Sequence, residues 1–292
     1  MKNTSLILVF LVFLILSSCN DVDKKIISED EAQILLTEAI TAYGIYSGTQ
    51  DQATLAGMQS EYMLSKSAQK PAPNEYPVIT IDPVDLTTWP KTITIDFGEE
   101  NVIGLDGNKR RGIMIVEAKN FPGIEGAEYT ITFSDYYHND YKVEGTQIIK
   151  NLGLNSNENP EYQCSVVDGI ITSPDDDIFY FEQQTTREWT EGYDTHFVLT
   201  GKAEDLCDDR YKISGQHSGI SSTGYSYNIS IKEALVVSVC CRWVEDGILT
   251  VNMEDNDLSC EIDFKPENDL GESCNDQALF TIFGISIPIT MK

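Results

Sequence analysis

Basic residues are scarce in this 292-residue chain. Lysine and arginine number 20 against 47 aspartates and glutamates, which gives a formal net charge of −27. A balance this acidic repels the phosphates of nucleic acids and the anionic head groups of lipids. Nucleic acid is therefore excluded as a partner. The carboxylates could serve cation binding, but the usual interpretation of such charge is a well-solvated surface.

Residue patterns of common catalytic sites are also missing. The chain has three histidines, His138, His196 and His217. The run Gly215-Gln216-His217-Ser218-Gly219 places its serine one position too late for the nucleophile elbow of a serine hydrolase, and no helical pattern follows it. Carboxylate pairs for glycoside hydrolysis cannot be recognised by spacing in so acidic a chain. The sequence therefore predicts no catalytic residue and leaves open whether the protein is an enzyme.

Metal-binding and cofactor-binding motifs are likewise lacking. No Cys-x-x-Cys occurs, and the histidines do not fall at zinc spacings. Aspartate-rich turns of the kind that calcium uses occur at residues 175–177, 208–209 and 255–257, but none fits an EF-hand loop. We predict no metal and no cofactor, and we keep a structural calcium site as a minor alternative.

A long, uninterrupted apolar run is present at the N-terminus. Lys2 is followed by the hydrophobic residues 6–16 and by the small Ser17 and Ser18, which is the layout of a secretory signal. A helix that stays in the membrane needs about 20 apolar residues, so this run is too short. Leu16-Ser17-Ser18-Cys19 resembles the bacterial lipobox. The resemblance implies cleavage after residue 18 and attachment of lipid to the thiol of Cys19.

Lipidation at Cys19 would determine the cellular location of the protein. Each buried CH₂ of an acyl chain contributes about 0.8 kcal/mol, so two or more chains, palmitate among them, hold a protein on a bilayer. The run Asn20-Asp21-Val22-Asp23 resembles the tag by which Bacteroidota export lipoproteins to the cell surface. We expect contact with the membrane through Cys19, in the cell envelope at the outer membrane, on its surface or periplasmic face. The alternative is an incidental thiol beside an ordinary signal peptide.

Six cysteines remain once Cys19 is set aside. In an exported protein disulfides persist, and an even number of cysteines favours them, although the spacing does not fix which pairs form. The disulfide candidates are Cys164, Cys207, Cys240, Cys241, Cys260 and Cys274.

The N-terminal part of the mature chain carries helix signals. Ser28-Glu29-Asp30-Glu31 has the form of a capping box, and apolar residues follow it at steps of three and four. Gly44 or Gly48 is the expected end, and a weaker second helix is predicted up to about residue 67. We interpret this part as a helical cap on the following sheet, with a partner-binding or spacer hairpin as the alternative.

From residue 91 onward, short alternating apolar runs separated by Gly, Asn and Asp are typical of antiparallel strands. One of the predicted strands covers residues 196–202. The predicted fold is mostly β, with antiparallel sheets that are sandwich-like or extended and multi-stranded, and a short N-terminal helical segment. A faint echo between residues 93–116 and 260–282 leaves two related halves open. The predicted divisions are a lipoprotein signal peptide (1–18), a tether (19–28), a helical segment (29–70), a proline-rich connector (71–90) and the β region (91–292).

Aromatic residues concentrate in two parts of the β region. On an exposed face they would form a platform for glycan or peptide, but in strands they more often fill the core. We favour the core. The residues are Tyr136, Tyr137, Tyr141, Phe179, Tyr180, Phe181, Trp189 and Tyr193.

Strand and turn motifs across residues 91–292 are similar to those of a group of secreted Bacteroidota lipoproteins that has no assigned function. They include Thr94-Ile95-Asp96-Phe97-Gly98, Arg187-Glu188-Trp189, Cys241-Arg242-Trp243 and Cys274-Asn275-Asp276. The resemblance implies a fold but no activity, and it implies that Cys240 or Cys241 pairs with Cys274. We therefore predict a lipid-anchored envelope protein that binds a glycan or protein or has a structural role. The alternative is an envelope-attached hydrolase acting on glycan or peptide.

Overall fold

A computed structural model of the chain describes residues 27–66, 77–104, 106–195, 207–241, 243–253, 258–265 and 274–290. These residues form one long helix and a single antiparallel sheet of fourteen strands. The predicted mostly-β class is confirmed in its extended, multi-stranded form. Among the described residues, no helix combines the length and apolar character needed to cross a membrane.

The helix, α1 (Glu29–Lys66), begins at the predicted capping box. The backbone N–H of Ser28 donates to the Glu31 carboxylate at 2.9 Å, and the backbone N–H of Glu31 donates to the Ser28 hydroxyl at 3.3 Å. The predicted end at Gly44 or Gly48 is wrong, because the helix continues through both residues and includes the predicted second helix. Gly48 instead permits close packing, since a Cβ there would lie 2.7 Å from the His138 ring.

The sheet is a meander in which almost every strand pairs with its neighbours in sequence. The short β3 is the exception, since it pairs with β4 beyond the end of β2. The strands are β1 (Val78–Asp82), β2 (Lys91–Asp96), β3 (Val102–Ile103), β4 (Lys109–Ala118), β5 (Glu128–His138), β6 (Tyr141–Leu154), β7 (Pro160–Thr172), β8 (Ile178–Glu191), β9 (Arg210–Ile220), β10 (Ser226–Ser238), β11 (Asp246–Met253), β12 (Leu258–Asp263), β13 (Gln277–Ile282) and β14 (Ile285–Thr290).

Residues 71–90 are predicted as a proline-rich connector with no regular helix or central strand, and β1 lies within them. It pairs with β2, and no second partner is recorded for it in the described chain, so it occupies an edge position, which tolerates nearby prolines. The strand predicted at residues 196–202 lies outside the described residues.

Helix α1 packs against one face of the sheet and contributes to two hydrophobic clusters. Leu35 and Ala39 join side chains of β9 to β13, while Tyr46 and Ala53, further along the helix, join side chains of β2 to β9. The helical segment is therefore a cap on the sheet, as predicted. Half of the eight clustered aromatics fill this core as well, since Tyr136, Phe179, Phe181 and Trp189 are buried, whereas Tyr180 and Tyr193 are exposed.

Two disulfides lie toward the C-terminal part of the sheet. Cys207 pairs with Cys240, and Cys241 pairs with Cys274, so the pairing implied for Cys274 is present. Cys164 and Cys260 were also candidates, but both are free and buried. They lie on β7 and β12 in separate hydrophobic clusters and therefore do not meet.

Candidate functional site

A groove of about 490 Å³ lies between α1 and the turn that joins β7 to β8. Its helical wall consists of residues three and four positions apart, which a helix places on one face. These residues are Asp30, Gln33, Ile34, Thr37, Glu38 and Thr41.

The opposite wall is the turn at residues 173–177. The Ser173 hydroxyl accepts hydrogen bonds from the backbone N–H of Asp175 at 3.2 Å and of Asp177 at 3.1 Å. The backbone N–H of Asp176 also donates to the Ser173 carbonyl at 3.0 Å. These bonds fix the turn locally and leave the Asp175 and Asp177 carboxylates on the groove wall.

Aromatic side chains extend the lining between the two walls. The rings of Tyr141 and Phe179 meet edge to face with their centroids 6.4 Å apart. Phe179 is 1% exposed and is held by the core cluster, so this part of the groove is preorganised. Ile34, on the helical wall, is partly exposed and adds apolar surface.

The charges of the groove have one sign. Four carboxylates line it, those of Asp30, Glu38, Asp175 and Asp177, and none of its described lining residues is basic. The Glu38 carboxylate also accepts a hydrogen bond from the backbone N–H of Ser222 at 2.9 Å, which ties α1 to the turn between β9 and β10. Acidic groups beside an aromatic floor suit a cation with an apolar stem, such as a lysine or arginine side chain.

A second polar cluster lies beneath the middle of α1. The Arg187 guanidinium donates to the Asp51 carboxylate at 2.7 Å and lies 3.9 Å from the centroid of the Tyr211 ring. Burial lowers the pKa of Arg187, but Asp51, Tyr211 and Cys164 outweigh burial and the pKa is raised overall. Burial also raises the pKa of the Cys164 thiol to about 12, which keeps this thiol protonated and unreactive. The cluster fastens the helix to the sheet.

Asp209 lies close to this cluster, and the pKa of its carboxyl group is raised. Burial and, to a smaller extent, the charge of the neighbouring Asp208 raise its pKa, while hydrogen bonds from Tyr211 and Trp189 and the charge of Arg187 lower it, and the net result is a pKa of about 7. A carboxyl group that titrates near neutrality is a common feature of general acids. Asp209, however, is 1% exposed and does not line the groove.

The histidines of the described chain are buried in the core. Burial and the charge of Arg110 lower the pKa of His138 to about 3, and burial lowers the pKa of His217 to about 4. The His217 ring stacks on Tyr43 with their centroids 5.1 Å apart, so it packs between β9 and α1. His196 and Cys19 lie outside the described residues.

The aspartate-rich turns do not assemble a metal site in the part of the chain that the structure describes. No group of three or more His, Cys, Asp or Glu side chains suited to a metal ion occurs there. Asp255, Asp257 and the residue between them lie outside the described residues.

Sequence reasoning missed the polar face of α1. The prediction considered only the apolar face, although Asp30, Gln33, Thr37 and Thr41 recur at the same helical spacing. That spacing shows a polar stripe, but the β7–β8 turn that faces it is more than 130 residues away in the chain. The groove could therefore not be recognised before the two segments were seen together.

Comparison with protein-family models, with curated proteins and with solved structures found no match to this chain. The resemblance to Bacteroidota lipoproteins stays a prediction from the residues.

Proposed function

We propose that this protein is a lipid-anchored component of a bacterial cell envelope that works as a binding module. The anchor is the lipidated Cys19, and the binding site is the groove between α1 and the β7–β8 turn. The ligand is a cationic segment of a peptide or protein.

The anchoring part of the proposal is supported by the sequence before the helix. The apolar residues 6–16 and the following Leu16-Ser17-Ser18-Cys19 have the form of a lipoprotein signal. The two disulfides are consistent with an oxidising compartment outside the cytosol.

The binding part is carried by one observation, the composition of the groove. Its volume of about 490 Å³ is within the usual range for ligand pockets. The wall carboxylates attract a positive charge, and the Tyr141 ring, which packs on the buried Phe179, contacts the apolar stem that carries it. The net charge of −27 adds a long-range attraction for any cationic partner.

The binding proposal is tested by titrating the purified protein with a tri-lysine peptide in a calorimeter, with tri-alanine as the ligand control. We expect Asp175→Asn/Asp177→Asn to weaken binding about fivefold at low salt, since each exposed ion pair contributes up to about 1 kcal/mol. The matched control is Glu99→Gln/Glu100→Gln, which removes the same charge from two exposed residues that do not line the groove.

The two variants separate local from general electrostatics. Equal weakening by both pairs would mean that only net charge matters, and it would overturn the groove as the binding site. Binding of tri-alanine as tight as that of tri-lysine would overturn the cationic ligand.

The alternative of an envelope hydrolase acting on glycan or peptide stays a prediction. A hydrolase needs two groups that converge on a reachable point. Among the described residues, the carboxyl group with a pKa near neutrality belongs to Asp209, which is buried away from the groove. We therefore do not propose it as a second function.

A further inference from the structure

The hairpin of β13 and β14 carries an exposed apolar surface in a strongly acidic protein. Residues 277–290 contain no Asp, Glu, Lys or Arg. At the tip and on β14, Phe283 is 82% exposed, Ile285 63% and Ile287 49%. Exposed apolar side chains grouped in this way mark a contact site for a protein or a membrane.

Register places these side chains together. Ile282 pairs with Ile285, and Phe280 pairs with Ile287, so these four side chains lie on one face of the sheet. It is the face that packs on the core, because the β12 residues paired with Ile282 and Phe280 belong to the core cluster. The core cluster therefore continues outward along the hairpin into an uncovered apolar patch, made by Phe280, Ile282, Phe283, Ile285 and Ile287, which we call the hairpin patch.

The tip of the hairpin has a residue that the turn itself does not favour. Phe283 and Gly284 have φ values of 52° and 75°, so both central residues lie in the left-handed region, as in a type I′ turn. Asn, Asp and Gly suit these positions, and a phenylalanine there costs free energy. The other six non-glycine residues with positive φ in the described chain are Asp, Asn or Glu. Because an exposed phenylalanine at this position costs free energy, we infer that it has a role other than stabilising the turn.

The start of α1 lies at the same end of the sheet as this tip. Tyr225, in the turn between β9 and β10, donates its hydroxyl to the Glu31 carboxylate at 3.3 Å. Strand pairing shows that this turn and Phe283 lie at the same end of the sheet. The pairs that connect them from strand to strand are Tyr227 with Met253, Met253 with Leu258, and Cys260 with Ile282. Ile27 packs against the same core cluster as Phe280 and Ile282.

The distances are compatible with a shared contact. From β10 to β14 there are four strand spacings, or about 19 Å in total. The eight residue steps from Cys19 to Ile27 can span at most about 28 Å. A lipid on Cys19 would therefore hold the hairpin patch within reach of the bilayer surface.

We infer that the hairpin patch is a membrane contact, in which Phe283 and Ile285 enter the interface of the bilayer that holds the lipid anchor. This inference rests on the proposed anchoring at Cys19. The absence of charge in residues 277–290 suits the apolar side of that interface, and an aromatic tip suits its boundary with the head groups. The second contact fixes the orientation of the groove relative to the membrane.

The first test uses the lipidated protein in phosphatidylcholine vesicles that contain brominated lipid, which quenches tryptophan on contact. Phe283→Trp should lose about half of its added fluorescence, because the side chain reaches the acyl boundary. Leu154→Trp is the control, since Leu154 is 65% exposed but lies at the β6–β7 turn, at the end of the strands opposite to Phe283. Equal quenching of both, or of neither, would overturn the inference.

The second test uses the chain without residues 1–18 and with Cys19→Ser, which has neither the lipid nor the apolar leader, and measures its partition into phosphatidylcholine vesicles. We expect Phe283→Asn to lower the partition coefficient about tenfold and Leu154→Asn to leave it unchanged. Asparagine suits a positive φ, so Phe283→Asn should unfold at the same or a higher temperature than its parent. Reduced partition with intact folding thus isolates the membrane contact.

The two tests distinguish the inference from the anchoring on which it rests. If Cys19 carries no lipid but Phe283→Asn still lowers partition, the anchoring fails and the membrane contact stands. If the lipidated protein is anchored but Phe283→Asn changes nothing, only the inference fails. A dimer of the Cys19→Ser chain that Phe283→Asn dissociates, without any vesicle binding, would show that the patch is covered by a second copy and would overturn the membrane contact.

Discussion

At the scale of single residues, burial sets the protonation of several ionisable groups. Asp209 is 1% exposed, and its pKa is raised from the usual 3.8 to about 7. Between these values the folded state keeps a proton that the unfolded state releases, so stability falls as pH rises through this window and levels off above about pH 7. His138 and His217 act in the opposite sense, because their pKa values are lowered and protonation favours the unfolded state at acidic pH.

Replacing Asp209 isolates its contribution to the pH dependence of the free energy of unfolding. Relative to the native protein, Asp209→Asn should gain up to about 1.4 kcal/mol of unfolding free energy per pH unit between about pH 4 and pH 7. The histidines contribute equally to both proteins and cancel in the difference. Urea denaturation across the pH range measures the effect, with the exposed Asp194→Asn as the control. A difference that does not change with pH would contradict the raised pKa.

At the scale of elements, the close packing of α1 on the sheet decides which of its glycines could be replaced by a larger residue. The Tyr46 hydroxyl donates to the Glu144 carbonyl at 2.7 Å, and its ring stacks on Phe181 with centroids 5.3 Å apart. Gly57 lies so close to Tyr129 that a Cβ there would overlap the hydroxyl oxygen of the tyrosine. Around Gly44, by contrast, nothing lies within 4 Å of such a Cβ.

Because their surroundings differ, we expect the same substitution at these two glycines to have opposite effects on stability. Gly44→Ala should raise the free energy of unfolding by about 0.5–1 kcal/mol through helix propensity. Gly57→Ala should lower it by about 1–3 kcal/mol, because the buried Tyr129 ring must move to make room. Urea midpoints at unchanged denaturant slope report both changes. A shift of the same sign in both variants would disprove the close packing of α1 at Gly57.

The same helix shows which parts of the fold can be predicted from sequence. Its start follows from local chemistry, because Ser28 and Glu31 satisfy each other's backbone groups within four residues. Its end could not be located from Gly44 and Gly48, since the role of Gly48 depends on His138, which is 90 residues away. Strand alternation identified most of the sheet, but β3 has only two residues and β1 lies among the prolines of residues 71–90, so neither was recognised as a strand.

At the scale of the whole molecule, one helix and one meander produce two surfaces with different chemistry. The groove joins residues 30–41 to residues 141–179 and presents carboxylates. The hairpin patch presents apolar side chains from a stretch without charge. We propose that the first binds a cationic partner and that the second, with the lipid on Cys19, contacts the membrane.

Mass spectrometry of the N-terminus of the protein purified from its native membrane tests the central claim most directly. The account predicts a chain that begins at Cys19, with a diacylglyceryl group on the thiol and an acyl group on the new amine. Cys19→Ala should abolish this modification. An unmodified Cys19, or a chain that still begins at Met1, would contradict the account.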